Sequence, residues 1–110
     1  MNPDIDIEHL KQNLGQMVQM SQVMLAKAEE SDWEQLRLID GQRRQVIMAI
    51  FQYPVPEAFA KQVAEAIEEV RSLDQRIIAL IENQKRQMRG DLEGLKTASE
   101  ALRAYSNNIG

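Results

Sequence analysis

Residues able to do chemistry are few in this chain. Among 110 residues there is one histidine, His9, and no cysteine, which removes thiol nucleophiles, disulfide staples and cysteine-ligated zinc together. Any Ser–His–Asp relay would have to be built on His9. His9 follows Asp6 by three residues, the spacing of a carboxylate–histidine metal pair on a helix. Bundles that hold metal this way need a second such unit and further inward carboxylates. The pair also falls in a first helical turn, where an aspartate serves as a cap. Capping or solvation is therefore expected for both residues. Glu29–Glu30 and Glu65, Glu68 and Glu69 fall in helical segments where solvated carboxylates are ordinary. Neither G-x-x-x-x-G-K-[ST] nor G-x-G-x-x-G occurs, so no phosphate cradle is encoded. The expectation is no catalytic residue, no metal, no cofactor and no enzyme.

The basic residues argue for little more. Arg43–Arg44 and the run Lys85, Arg86, Arg89 offer phosphate contacts, yet the stretch containing the run is acidic early (Glu57, Glu65, Glu68, Glu69) and basic late. That order suits the helix dipole and predicts a solvated surface, and Arg43–Arg44 is read the same way. With 13 Lys+Arg against 17 Asp+Glu, the net charge is −4 and the pI about 5.0, unlike the basic face of a nucleic-acid binder. No nucleic acid is expected. A chain 44% hydrophobic and 27% charged is too apolar for a disordered tail and too polar for a membrane protein. No stretch approaches the roughly 20 apolar residues that span a bilayer, and the start, Met-Asn-Pro-Asp-Ile-Asp, lacks the basic and apolar regions of a secretory signal. A cytoplasmic protein without membrane insertion is the default.

The elements that must position these residues are helices. Five Gly and three Pro sit at discrete places, and Gln, Leu, Ala, Glu, Arg, Ile and Met, mostly good helix formers, recur between them. Steps of three and four residues link Ile7, Leu10, Leu14, Met17, Ser21, Met24 and Ala28, one stripe along a helix. Val18 and Leu25 widen it enough for two neighbours. Ser31 and Glu34 have capping-box spacing and open a second helix with Trp33, Leu36, Ile39, Val46, Ile47 and Ile50 inward. Gly41 inside it costs about 1 kcal/mol relative to Ala, as a site of close approach or a weak point. Tyr53-Pro54-Val55-Pro56 ends this helix. A longer third seam follows through Phe59, Val63, Ile67, Val70, Leu73, Ile77, Leu80, Ile81, Gln84 and Met88. Gly90-Asp91 then punctuates the run before a weak stripe of Leu92, Leu95, Ala98, Leu102 and Tyr105. The prediction is an all-α antiparallel helical bundle, one domain over 1–110, with helices at about 4–30, 32–52, 57–88 and 91–105 and a disordered tail at 106–110. The fourth helix is short and weakly packed, and whether it continues the third or turns back is left open.

Two features carry function beyond a bland core. Met17, Met20 and Met24 cluster on the first helix, and methionine adapts to varied partners as readily as it fills core gaps. The long third seam, poorly covered, leaves room for an inducible groove of the kind amphipathic helices enter.

The segments Met20-Ser21-Gln22-Val23-Met24-Leu25 and Ser31-Asp32-Trp33-Glu34-Gln35-Leu36 resemble the flagellar export chaperone family FliT. Arg43-Arg44, Pro54-x-Pro56, Leu73-Asp74 and Ala104-Tyr105 extend the likeness along most of the chain. The resemblance implies a four-helix cytoplasmic chaperone that binds the C-terminal segment of the filament cap protein (FliD-like), holds it unpolymerised and delivers it to the export apparatus. It also implies contacts with export ATPase complex components and the export gate, with a homodimer left open. The fourth helix is expected to cover the binding surface and move away when a partner docks. The chain ends soon after Tyr105, without the longer tail of enteric members, so their restraint of the flagellar transcription activator is not expected here.

Placed on this sequence, the partner groove is expected at Val46, Ile50, Val70, Leu73, Ile77 and Ile81, gated by Leu95, Leu102 and Tyr105. The rival reading is a self-assembling helical module, its third seam pairing between subunits as coiled coils do. A metal-binding bundle stands third.

Overall fold

The computed structural model describes residues 6–87 and 98–105. Helix α1 spans Ile7–Glu29, α2 spans Trp33–Ile50 and α3 spans Ala60–Gln87, the last preceded by a 3-10 turn at Glu57–Phe59. Residues 98–105 are helical and lie back on the bundle, and no strand occurs among the described residues. α1 packs against both α2 and α3, whose backbones do not approach each other. This is the two-neighbour role that the widened stripe of α1 required. The space between α2 and α3 is where residues 98–105 sit.

The α1–α2 corner is built from three residues. Ser31 N–H donates to the Ala28 carbonyl (3.0 Å) and Asp32 N–H to the Lys27 carbonyl (2.8 Å), the paired bonds of a Schellman ending. Ser31 takes the left-handed conformation this ending requires, with φ 60°. The capping box predicted at Ser31 is therefore not formed, because Ser31 is committed to closing α1. Asp32 caps α2 instead, its carboxylate accepting from Gln35 N–H at 3.3 Å. At the start of α1, Asp6 is the cap, accepting from His9 N–H at 3.2 Å and facing the His9 ring nitrogen Nδ1 at 3.3 Å. These two bonds, the backbone one first, hold the Asp6 carboxyl below its usual range.

Buried positions recur on one side of each long helix, mostly at steps of three, four or their sum of seven. They are Leu10, Leu14, Met17, Ser21, Met24, Leu25 and Ala28 on α1; Trp33, Leu36, Asp40, Arg43 and Ile50 on α2; Val63, Val70, Asp74, Ile77 and Ile81 on α3. The core is thereby cut in two. One cluster joins Met24, Leu25, Ala28, Trp33, Leu36, Ile77 and Ile81 to Ala98, Ala101 and Tyr105. The other joins Leu10, Leu14, Met17, Ile50, Val63 and Val70. Between them lies a layer of polar side chains.

Candidate functional site: a buried ionic layer under the last helix

Each helix sends one or two side chains into the layer. Ser21 from α1, Asp40 and Arg43 from α2, and Asp74 from α3 are all buried to 3% exposure or less, in phase with the apolar seams around them. Tyr105, 1% exposed, arrives from the last helix. Arg43 Nη1 donates to Ser21 Oγ at 2.8 Å and to Asp74 Oδ1 at 2.9 Å, while Nη2 reaches Asp40 Oδ1 at 3.4 Å. Ser21 passes its own proton to the Met17 carbonyl, one turn back, at 2.8 Å. The Tyr105 hydroxyl donates to Asp74 Oδ1, and its ring lies 5.5 Å from Arg43 Cζ, within cation–π range.

One guanidinium thus faces two carboxylates. Burial raises the Asp40 carboxyl above its ordinary value, against the pull of Arg43 and Arg44. Burial also pushes the Tyr105 phenol far above its usual range; Arg43 opposes this, and the bond to Asp74 and the negative charge there add to it. Arg43 keeps its proton more firmly still, because the bond to Asp74 and the neighbouring charges outweigh desolvation. Its Nε is buried without an acceptor from the protein.

The paired arginines do not share one role. Arg44 is half exposed, 3.9 Å from Asp40 Oδ2, as a solvated surface predicts. Arg43 is buried, and the expectation of a solvated Arg43 is overturned. The signal was present: at steps of three and four the inward face of α2 runs Leu36, Asp40, Arg43, Ile47, Ile50, so the gap in its apolar stripe is the layer itself. Ser21 and Asp74 stand at the equivalent step on their own helices. Met17 and Met24 are core, 2% and 0% exposed.

The residues expected to line a groove fall into both clusters. Leu73, Ile77 and Ile81 belong to the cluster beneath residues 98–105, whereas Val46, Ile50 and Val70 belong to the other. Ile50 also walls a surface cavity of about 280 Å³ with His9, Leu10, Tyr53 and Val55, at the end where α1 begins. Of the residues expected to gate the groove, Tyr105 is in the layer and Leu102 packs against the first cluster; Leu95 lies outside the described residues. The seam between α2 and the last helix is partly open. A recess of about 260 Å³ lies among Trp33, Glu34, Arg37, Glu100 and Ala101, with Arg37 and Glu100 3.8 Å apart across it and both half exposed.

Among the described residues no group of three or more His, Cys, Asp or Glu side chains is placed to hold a metal ion, and no helix is long and apolar enough to cross a membrane. Among the described residues, the extensive buried chemistry is the set of bonds that ties α1, α2, α3 and helical residues 98–105 together. Fold and site define an all-α bundle in which a final helix is fastened into the gap between two others. The model of one family, described as "Flagellar protein FliT", matches residues 11–107. The chain belongs to this family of flagellar export chaperones, as the segments from Met20 to Leu36 led us to expect. No curated protein and no solved structure matched the chain.

Proposed function

We propose that the chain is a cytoplasmic export chaperone that binds the C-terminal segment of the filament cap protein, keeps it from assembling early and delivers it to the export apparatus. In this reading helical residues 98–105 cover a groove between α2 and α3. Leu73, Ile77 and Ile81 form the covered part of its floor, and Val46, Ile50 and Val70 continue it. Leu95, Leu102 and Tyr105 belong to the gate. Export ATPase components and the export gate are its further partners.

The observation that carries the reading is the position of residues 98–105. They fill a space that α2 and α3 leave by not touching, and they bury small residues and one tyrosine there. A client helix then competes with an intramolecular cover, so its apparent affinity falls by the fraction of time the groove is open. A closed state favoured by about 1.4 kcal/mol weakens binding about tenfold.

Calorimetric titration of the cap protein's C-terminal segment into the full chain and into a Leu102→Ala variant tests this. Binding that tightens in the variant supports client and gate together. Weaker binding in the variant makes residues 98–105 part of the client site and removes the gate. A folded protein that binds in neither form, and is a constitutive oligomer by light scattering, sinks the chaperone mechanism in favour of self-assembly.

A further inference from the structure

The floor of the groove is selective because it is not wholly apolar. Asp74 Oδ1 takes Arg43 Nη1 at 2.9 Å and also the Tyr105 hydroxyl. Arg43 reaches both Asp74 and Asp40, and Arg44 lies 3.9 Å from Asp40 Oδ2, so two guanidinium groups already serve the two carboxylates, and the last helix adds a ring beside Arg43 and one neutral donor, the Tyr105 hydroxyl, to Asp74. When that helix lifts, water reaches Asp74. When another helix settles there, Asp74 is dried again and needs a donor, since a buried carboxylate left short is penalised. The rest of the contact is equally particular. Ala98, Ala101 and Tyr105, at steps of three and four, are 0%, 4% and 1% exposed, so the covering helix meets its neighbours through small residues that permit close approach.

We infer that the segment which takes the place of residues 98–105 is an amphipathic helix bearing the same three-point signature, small–x–x–small–x–x–x–tyrosine, with its phenol donating to Asp74. The inference rests on the reading that a client displaces this helix, and it specifies the client's chemistry. Phenylalanine supplies the ring without the donor. Lysine supplies a donor but sets a second cation beside Arg43 in place of a ring. An acidic residue there would face two carboxylates.

The probes are synthetic peptides with the sequence of residues 95–110 of this chain, with Tyr, Phe or Lys at the position of Tyr105, plus one with Leu at the position of Ala101. Each is fluorescently labelled and titrated into the full-length chain and its Leu102→Ala variant, alongside the cap protein's C-terminal segment. The Tyr peptide is expected to bind at least tenfold more tightly than the Phe and Lys peptides, and the Leu peptide to lose most affinity. In a host also carrying Asp74→Leu, with folding checked by circular dichroism, the Tyr–Phe difference should collapse to below about threefold. Should that host fail to fold, the peptide series in the other two hosts decides the matter. Equal Tyr and Phe affinities, or a preference for Lys, overturns the inference. So does binding of the cap segment when no peptide binds at about 1 mM, which leaves the chaperone reading standing with a different mode of docking. A clear Tyr preference without cap-segment binding supports the groove's chemistry and refutes its assignment to that client. Binding by nothing removes both.

Discussion

At Arg43 one cation holds together side chains from every described helix, and its loss is expected to be costly in a pH-dependent way. Arg43→Met removes the guanidinium bonded to buried Asp74 and leaves Asp40 facing only the half-exposed Arg44, and should destabilise the fold by about 3–5 kcal/mol. Burial already raises the Asp40 carboxyl, and removing the pull of Arg43 raises it further, so in the variant this group binds its proton more tightly in the folded chain than in the unfolded one. The variant should therefore regain stability as pH falls from neutral toward the ordinary carboxylate range, which urea melts at several pH values would read. No recovery in acid would show that the Arg43 stem, not its charge, matters. Replacing Ser21, Asp40, Arg43, Asp74 and Tyr105 together by apolar residues of similar volume should cost far less than Arg43→Met, because the bonded partners of the layer leave together. Tyr105→Phe removes one donor from Asp74 and should cost about 1–3 kcal/mol, read as faster hydrogen exchange concentrated in residues 98–105. The raised Tyr105 phenol gives a second pH limb of the same sign in the alkaline range. Its contribution is whole below the ordinary tyrosine value of about 10 and is lost as pH rises beyond it, since the unfolded chain ionises first. Helical signal should fall in that range, earlier for a chain whose last helix is already weakened by Leu102→Ala.

At the scale of an element, the ends of the helices are where stability can be added. Ser31 holds φ 60°, a conformation costly for a residue with a Cβ. Ser31→Gly should raise stability by about 0.5–1 kcal/mol after the greater freedom of the unfolded glycine chain is discounted. Gly41 has nothing within 4 Å of where a Cβ would stand, so it is a weak point and not a site of close approach. Gly41→Ala should then stabilise α2 by about 1 kcal/mol, measured as a higher Tm. Most of the helical framework was legible because apolar residues repeat at three and four: the buried face of α1 from Leu10 to Ala28 is the predicted stripe. What sequence reading missed is polar and inward. Arg43 was assigned to solvent because a charged residue beside another charged residue usually is; only the phase of Asp40 and Arg43 with Leu36 and Ile50 reveals the layer. The corner at Ser31 was misread because Ser31–Glu34 has capping-box spacing while Asp32, one residue on, caps α2. The outcome depended on how α1 ends, which α2's own sequence does not record. The layer also fixes register. Sliding α3 by one heptad along α1 would set Asp74 among Leu14 and Met17, far from Arg43, so the charged layer penalises the slipped pairings that apolar seams alone would tolerate.

At the largest scale, the described residues form two apolar clusters joined through an ionic floor, and residues 98–105 pack into the cluster of Met24, Leu36, Ile77 and Ile81. Removing the cover should thus leave the Leu10–Val70 cluster intact. A full-length Ala101→Glu variant, which places a charge in the covered seam, should keep most of its helical signal while exposing apolar surface to a fluorescent dye. Wholesale unfolding would instead make the last helix part of the obligatory core. The orphaned Nε of Arg43 costs the fold some stability, since a buried donor without an acceptor is penalised. The layer has a further consequence, in time. Its bonds link residues in chain order: Ser21 with Arg43 across 22 positions, Arg43 with Asp74 across 31, then Asp74 with Tyr105 across another 31. If residues 98–105 dock onto a bundle that α1, α2 and α3 have already formed, the phenol bond forms last, an order that folding rates test. A contact made after the folding barrier changes how fast the native state comes apart and hardly at all how fast it forms. Tyr105→Phe should accordingly steepen nothing in the refolding limb of a chevron and lift only the unfolding limb, so that the hydroxyl acts as a latch on the rate of letting go.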